Sequence, residues 1–386
     1  MAARRRPSTG SRADVMTTAL PLPLEHLPTP SLLVDVDRMQ ANIERVAADL
    51  DQAGVRLRPH VKTSKCVEVA RRQLAAGATG LTCSTPAEVE LLAGSGFQDL
   101  LWAHLPVGAT KVGFAVTAAR DHGLTVALDS VEAAKPLSVE ALAAGVEVGF
   151  LLEVNTGQAR AGVEPGLAVL RAQQLLALGG LRMRGVMTHE GHLSTYGDDR
   201  DALTAAARGC GETLAAVAAD IRSAGLDCEI VSVGSTPGLT SSPYADGVNE
   251  ARPGTYVYFD ANQVRLGSAS FDDCALTVLT RVVSTQRPGT AITDAGLKAM
   301  SADSLAPDRG AGVVCGADGT PLPDIEFWTA NEEHGFLRGP GVADLRVGDL
   351  LRVIPNHACG TVNMWSREYA VRAGVAHEQW EISARH

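Results

Sequence analysis

Lys62 directly follows an apolar run, VRLRPHV at 55–61, that reads as a strand. A lysine leaving a strand into a half-dry mouth loses some of its affinity for a proton and can form a Schiff base with a carbonyl; one that runs on into water does nothing. Arg160, in EVNTGQARAGV, lies between Gly157 and Gly162, which allow a tight turn returning the guanidinium toward a site or leaving it on the surface. His189 ends GVMTHEGH, with His192 three residues on, and could serve a site or the core. Gly234-Ser235-Thr236-Pro237-Gly238 and Arg252-Pro253-Gly254-Thr255-Tyr256 are loops of small residues whose N–H groups could converge on an anion, or plain turns. Neither carries GxxxxGK[ST] or GxGxxG. His357 and Cys359, two apart in PNHAC, could point to one face of an extended strand as a zinc-type donor pair, with a third ligand from elsewhere.

Such residues need elements that bring them together. After SLLVDV from Ser31, and a helix with Met39, Ile43, Val46 and Leu50 on one face, apolar runs occur at 55–61, 80–83, 99–103, 125–128, 148–154, 184–188, 229–233 and 251–257. Most are separated by helix-length segments. Thr85-Pro86-Ala87-Glu88 opens one helix as a capping box, and Gly77, Gly123, Gly145 and Gly225 close others. Eight alternating units predict an α/β fold, a closed (β/α)8 TIM-like barrel, with a doubly wound open sheet as the competing architecture. The candidate residues then fall at the C-terminal ends of strands, where such barrels keep their chemistry, and the two small-residue loops follow strands 7 and 8, the usual phosphate site.

From about residue 266 the pattern becomes β-rich, with CALTVLTRVVST, AITDAG, IEFWTA, DLLRVIP and REYAVRAG. The expected organisation is a flexible tail at 1–27, the barrel at 28–265 and a mostly β C-terminal domain at 266–386. The 386 residues carry 34 Lys and Arg against 44 Asp and Glu, a net charge of −10, so no broad basic surface for nucleic acid is expected. No run approaches the ~18 apolar residues that span a bilayer. The seven scattered cysteines suit reduced thiols in a cytoplasm.

Taken together and in order, these motifs resemble the pyridoxal-phosphate enzymes of the alanine racemase type, fold type III, and within them the D-serine dehydratase and D-threonine aldolase branch. RPHVKTSK, GQARAGV, GSTP, RPGTY, DAGLKAMSAD from Asp294, EEHG from Glu332 and PNHACGTVN carry the resemblance, from about Thr29 to the end. It implies that Lys62 carries pyridoxal 5'-phosphate as a Schiff base and serves as base, that Arg160 contacts the cofactor's phenolic oxygen and that His189 lies against its ring. It further implies that Gly234, Ser235, Thr236, Gly254, Thr255 and Tyr256 hold the phosphate, that His357 and Cys359 bind a divalent metal near the substrate's β-hydroxyl, and that the enzyme is a homodimer. Relatives with an aspartate two after the histidine tend to be aldolases using magnesium or manganese; a cysteine there accompanies zinc-dependent dehydratases. The expected function is dehydration of a small β-hydroxy D-amino acid to a 2-oxo acid and ammonia. Retro-aldol cleavage to glycine and an aldehyde is the alternative, and a non-catalytic pyridoxal-phosphate carrier a more distant one. Ser64 and His189 stand where many relatives have histidine and tyrosine.

Overall fold

The computed structural model describes residues 19–301, 303 and 310–385; residues 1–18 of the expected tail and Ala302 of the SAD motif lie outside them. The chain begins with β1 (Leu22–Pro23), β2 (Ser31–Asp35) and α1 (Val36–Gln52). The barrel units follow as β3 (Arg56–Leu57), α2 (Val67–Ala75), β4 (Leu81–Cys83), α3 (Pro86–Gly94), β5 (Leu100–Trp102), α4 (Ala109–His122), β6 (Thr125–Leu128) and α5 (Val131–Ala144). They continue as β7 (Val148–Glu153), α6 (Ala168–Leu176), β8 (Leu181–Met187), α7 (Arg200–Ser223), β9 (Ile230–Val233), β10 (Glu250–Ala251) and α8 (Ala261–Arg265).

Strands β3 to β10 are all parallel, in the order β3-β10-β9-β8-β7-β6-β5-β4. The ring closes just past β3, where His60 bridges Thr82, Val61 N–H donates to Thr82 O (2.9 Å) and Thr82 N–H to Pro59 O (2.8 Å). Strands such as TVAL of β6 are buried throughout, as a parallel sheet covered by helices requires. Thr85 caps α3 through Glu88 N–H with Pro86 at the first helical position, and α4 and α5 end on left-handed Gly123 and Gly145.

The eighth strand is shorter than the expected 251–257. Pro253 has no N–H for the ladder, so the regular strand ends at Ala251, with His60 N–H still donating to the Pro253 carbonyl (2.9 Å), and Thr255–Val257 form a 3-10 turn.

The rest of the chain is β11 (Leu276–Arg287), β12 (Thr290–Thr293), β13 (Gly312–Cys315), β14 (Pro321–Ala330), β15 (Gly335–Arg338), β16 (Leu350–Pro355), α9 (Ala358–Val362), β17 (Arg367–Arg372) and β18 (Val375–Glu381). They form a sheet in the order β1-β18-β17-β2-β11-β12-β15-β14-β13-β16, in which β16 also pairs with β11 and so closes the last six strands on themselves.

Two N-terminal expectations need correction. Ser31–Asp35, placed with the barrel, is a strand of the C-terminal sheet between β11 and β17. Leu32 and Val34 face the main core, while Leu33 joins a second cluster with Leu24, Leu27, Leu279, Val371 and Ala376. The flexible tail expected at 1–27 therefore does not extend to residue 27. Leu22–Pro23 pairs with Val375 and Ala376 at a sheet edge, where proline is tolerated, and Leu24 and Leu27 bury into that cluster.

Candidate active site at the barrel mouth

Lys62 comes immediately after the segment that closes the barrel and lines two adjoining cavities, of about 280 and 350 Å³. His60, His189 and Arg252 line both as well. His189 follows the end of β8, and its Nδ1 lies 2.6 Å from the carbonyl of Gly234, just past β9, so Nδ1 is assigned as the proton carrier. Burial, then the charges of Lys62, Arg160 and Arg252, push this imidazole down to about 3. The ring is thus neutral, with its Nε2 lone pair free. His60 is driven down by burial and by Lys62 in the same way.

Arg252, just past β10, is buried and donates to Ser232 Oγ (2.5 Å) and to the carbonyl of Thr188 (2.6 Å). Ser232 Oγ in turn donates to Glu250 (2.8 Å), which accepts from Arg58 Nε (2.9 Å); Arg58 also reaches Asp99 (2.9 Å). A buried chain of charge thus runs from the mouth down the barrel wall. Lys62 and Arg252 bring positive charge to both cavities, suited to an anionic ligand.

Ser235, Thr236, Gly254 and Thr255 line the first cavity. Gly254 is tightly seated: a Cβ there would lie 3.0 Å from Thr63 Oγ1 and 3.3 Å from His60 Cβ. Gly234 contributes its carbonyl to His189, and a Cβ on it would meet Arg252. The hydroxyl of Ser235 is already engaged, donating to Glu190 Oε2 (2.8 Å) and accepting from Gly238 N–H (2.9 Å). Thr236 Oγ1, by contrast, is buried with no partner. This orphaned donor in a small-residue cradle, in a cavity that Lys62 and Arg252 also line, fits a phosphate group.

Tyr256 does not contribute its side chain there. Its ring is fully buried and its hydroxyl accepts from Gln73 of α2 (3.0 Å), because the turn after Pro253 directs it into the apolar core. Arg160 lines the second cavity with Lys62, His189, Ser84, His104 and Glu153, and its guanidinium lies 3.7 Å from the Glu153 carboxylate.

His357 and Cys359 line the first cavity with Lys62, but not from an extended strand. His357 is the N-cap of α9 and Cys359 lies in its first turn, because Asp260 Oδ2 captures Ala358 N–H (2.8 Å) and starts the helix. Asp303 accepts from His357 Nδ1 (2.6 Å), which leaves Nε2 as the ligand-type nitrogen. Cys359 Sγ lies 3.1 Å from Thr63 Oγ1, on the residue after Lys62. Burial opposes ionisation of the thiol, yet His357 and Lys62 hold it below its ordinary value. An imidazole nitrogen and a readily ionised thiol fit a soft divalent metal. Among the described residues no group of three or more His, Cys, Asp and Glu is arranged as a metal set.

With that geometry in view, the comparisons with known proteins decide the family. Residues 34–262 match the alanine racemase N-terminal domain, and residues 275–371 match a serine dehydratase domain. The chain belongs to the alanine racemase-type family of fold type III. The D-threo-3-hydroxyaspartate dehydratase of Delftia sp. (strain HT23) is 39% identical over 375 residues, covering 92% of this chain and 97% of the relative. The D-threonine aldolase of an Arthrobacter species is 33% identical over 370 residues, covering 94% of each. A solved Cys-to-Ala mutant of D-threo-3-hydroxyaspartate dehydratase, in a metal-free form, matches with a TM-score of 0.88 at 37% identity, covering 93% of this chain and 98% of that one.

In this member of the family the fold gathers Lys62, His189, Ser235, Thr236, Gly254, Thr255, His357 and Cys359 around one cavity and brings Arg160 to its neighbour. Residue reading missed His60, Glu190, Arg252, Asp260 and Asp303. His60 and Arg252 stood inside the quoted motifs RPHVKTSK and RPGTY, two residues from assigned positions, which was the available signal. Asp260 had none, since its partner Ala358 lies 98 residues away.

Proposed function

We propose that the protein is a pyridoxal-phosphate- and metal-dependent lyase that dehydrates a small β-hydroxy D-amino acid to a 2-oxo acid and ammonia. The observation carrying this reading is that His357 and Cys359 share one cavity with Lys62 and the small-residue loops. Lys62 would hold the cofactor, Thr236 and the backbone of Ser235, Gly254 and Thr255 its phosphate, Arg160 its phenolic oxygen and His189 its ring face. Bound there, pyridoxal phosphate supplies an electron sink for charge at Cα, and the metal a Lewis acid for the β-oxygen.

The chain's own side chains do the remaining work. Lys62 Nζ would take the Cα proton and the β-hydroxyl would leave as hydroxide, which with that proton makes one water; a second water would then convert the released enamine to 2-oxo acid and ammonia. His189, kept neutral and fixed by Gly234, presents a flat uncharged surface that does not compete for that proton. Cys359 supplies the soft donor that favours zinc, and the metal-free Cys-to-Ala form of the related dehydratase supports a metal role for a cysteine in such a site. The 33% identity to a D-threonine aldolase keeps retro-aldol cleavage as a second reading, since the same base and metal ligands serve it. We further place the enzyme in the cytoplasm as a homodimer; the free state of all seven cysteines is in keeping with a reducing compartment. Chelation of the metal from the cofactor-loaded enzyme is expected to abolish ammonia release from D-serine or D-threo-3-hydroxyaspartate, and added Zn2+ to restore it. Unchanged release after chelation would overturn the metal role.

A further inference from the structure

The metal pair and the lysine belong to different layers of the molecule. His357 and Cys359 sit where β16 of the C-terminal sheet passes into α9, whereas Lys62 and the small-residue loops belong to the barrel. Catalysis at one β-carbon requires the two to be registered against each other within a fraction of an ångström. Helix α9 is only one turn long, too short to hold its own first turn in place.

Asp260, the residue before α8, spans the gap. It is fully buried. Its Oδ1 accepts from Gln263 N–H (2.9 Å) and so caps α8, while Oδ2 accepts from Ala358 N–H (2.8 Å), the residue between the two candidate ligands. Alongside, Asn262 N–H donates to the carbonyl of Asn356 (3.1 Å), a second tie between the same two segments. We propose that Asp260 is a positioning residue for the metal: one carboxylate clamps the His357-Ala358-Cys359 turn onto the last helix of the barrel, so that imidazole and thiol arrive together beside Lys62. This rests on the reading of His357 and Cys359 as metal ligands. Asp303, which orients His357 through Nδ1, acts on one ligand; Asp260 acts on the backbone that carries both.

Two substitutions separate this role from simple helix capping. Asparagine and serine are both good N-caps, so Asp260→Asn and Asp260→Ser keep the bond to Gln263. Asp260→Asn turns an amide NH2 toward Ala358 N–H, and Asp260→Ser cannot reach it. Zn2+ affinity is measured by competition with a chromophoric chelator on pyridoxal-phosphate-loaded wild type, both variants and His357→Ala, with the Co2+–thiolate absorption band as a second signature. Both Asp260 variants are expected to bind Zn2+ about 10- to 100-fold more weakly and to show an altered Co2+ band, with cofactor affinity unchanged. Wild-type Zn2+ affinity in both variants, or a parallel loss of cofactor affinity, would overturn the proposal. Wild-type Zn2+ affinity in His357→Ala would instead overturn the ligand reading, and the clamp with it.

Discussion

Hydroxyls one residue apart do different work at the small-residue loop. Ser235 has spent its proton on Glu190 and its lone pair on Gly238, while Thr236 Oγ1 is buried and unpaired. A hydrogen bond to a charged group contributes roughly 1.5–3 kcal/mol, so Thr236→Val is expected to weaken pyridoxal phosphate binding about 10-fold or more. Ser235→Ala should weaken it less, a comparison that equilibrium titration of the cofactor's absorbance checks. Lys62 and His189 were singled out by strand-end position, where a barrel gathers its side chains, whereas His357 and Cys359, in the C-terminal sheet, were singled out by residue type and spacing alone. Tyr256 was expected at the phosphate, but the direction of its side chain is set by the turn after Pro253 and by Gln73, 183 residues away.

The strands that carry the site are held by a polar chain that no local pattern announces. Arg58 on the β3 side, Glu250 of β10, Ser232 of β9 and Arg252 above them form one connected set, and Arg58 and Glu250 are nearly or wholly inaccessible to water. Removing one partner of a buried pair leaves the other charged and unpaired, at a cost of about 3–5 kcal/mol. Because Arg58 keeps its bonds to Asp99, Glu250→Gln is expected to cost less than that, about 1–3 kcal/mol in urea denaturation, and a loss below about 1 kcal/mol would show that the chain is not coupled in this way. Alternation of apolar runs with helix-length segments located all eight barrel strands, since most are short buried runs between clear stops. The length of β10 was overread because Pro253 lacks the N–H that would extend the regular ladder, and the start of α9 was taken as strand because its cap comes from Asp260.

For the whole molecule, the barrel and the C-terminal sheet meet through buried polar contacts as well as apolar ones. Glu368 of β17 is fully buried and accepts from Tyr258 (2.8 Å), which follows β10. Burial lifts this carboxyl to about 8, against the hydrogen bond from Tyr258. A carboxyl that stays protonated when folded but ionises near 4.3 when unfolded makes the unfolded state bind fewer protons between those values, so stability falls as pH rises from about 4 to 8. The wild type is therefore expected to lose more thermal stability between pH 6 and pH 9 than Glu368→Gln, as scanning calorimetry at the two pH values would read; equal losses would remove Glu368 as the cause. The two-part organisation was visible in the change of pattern near residue 266. That β2 crosses into the second sheet was not, because strand partners are chosen by distant burial and not by the strand's own residues.

The most direct test of the proposed chemistry is proton NMR of the protein incubated with D-threonine, pyridoxal phosphate and Zn2+, since one substrate yields different products by the two reactions. Dehydration at a site with Lys62 as base and Cys359 on the metal gives 2-oxobutanoate, the result expected here. Glycine with acetaldehyde, and no 2-oxobutanoate, would contradict it and make the protein an aldolase.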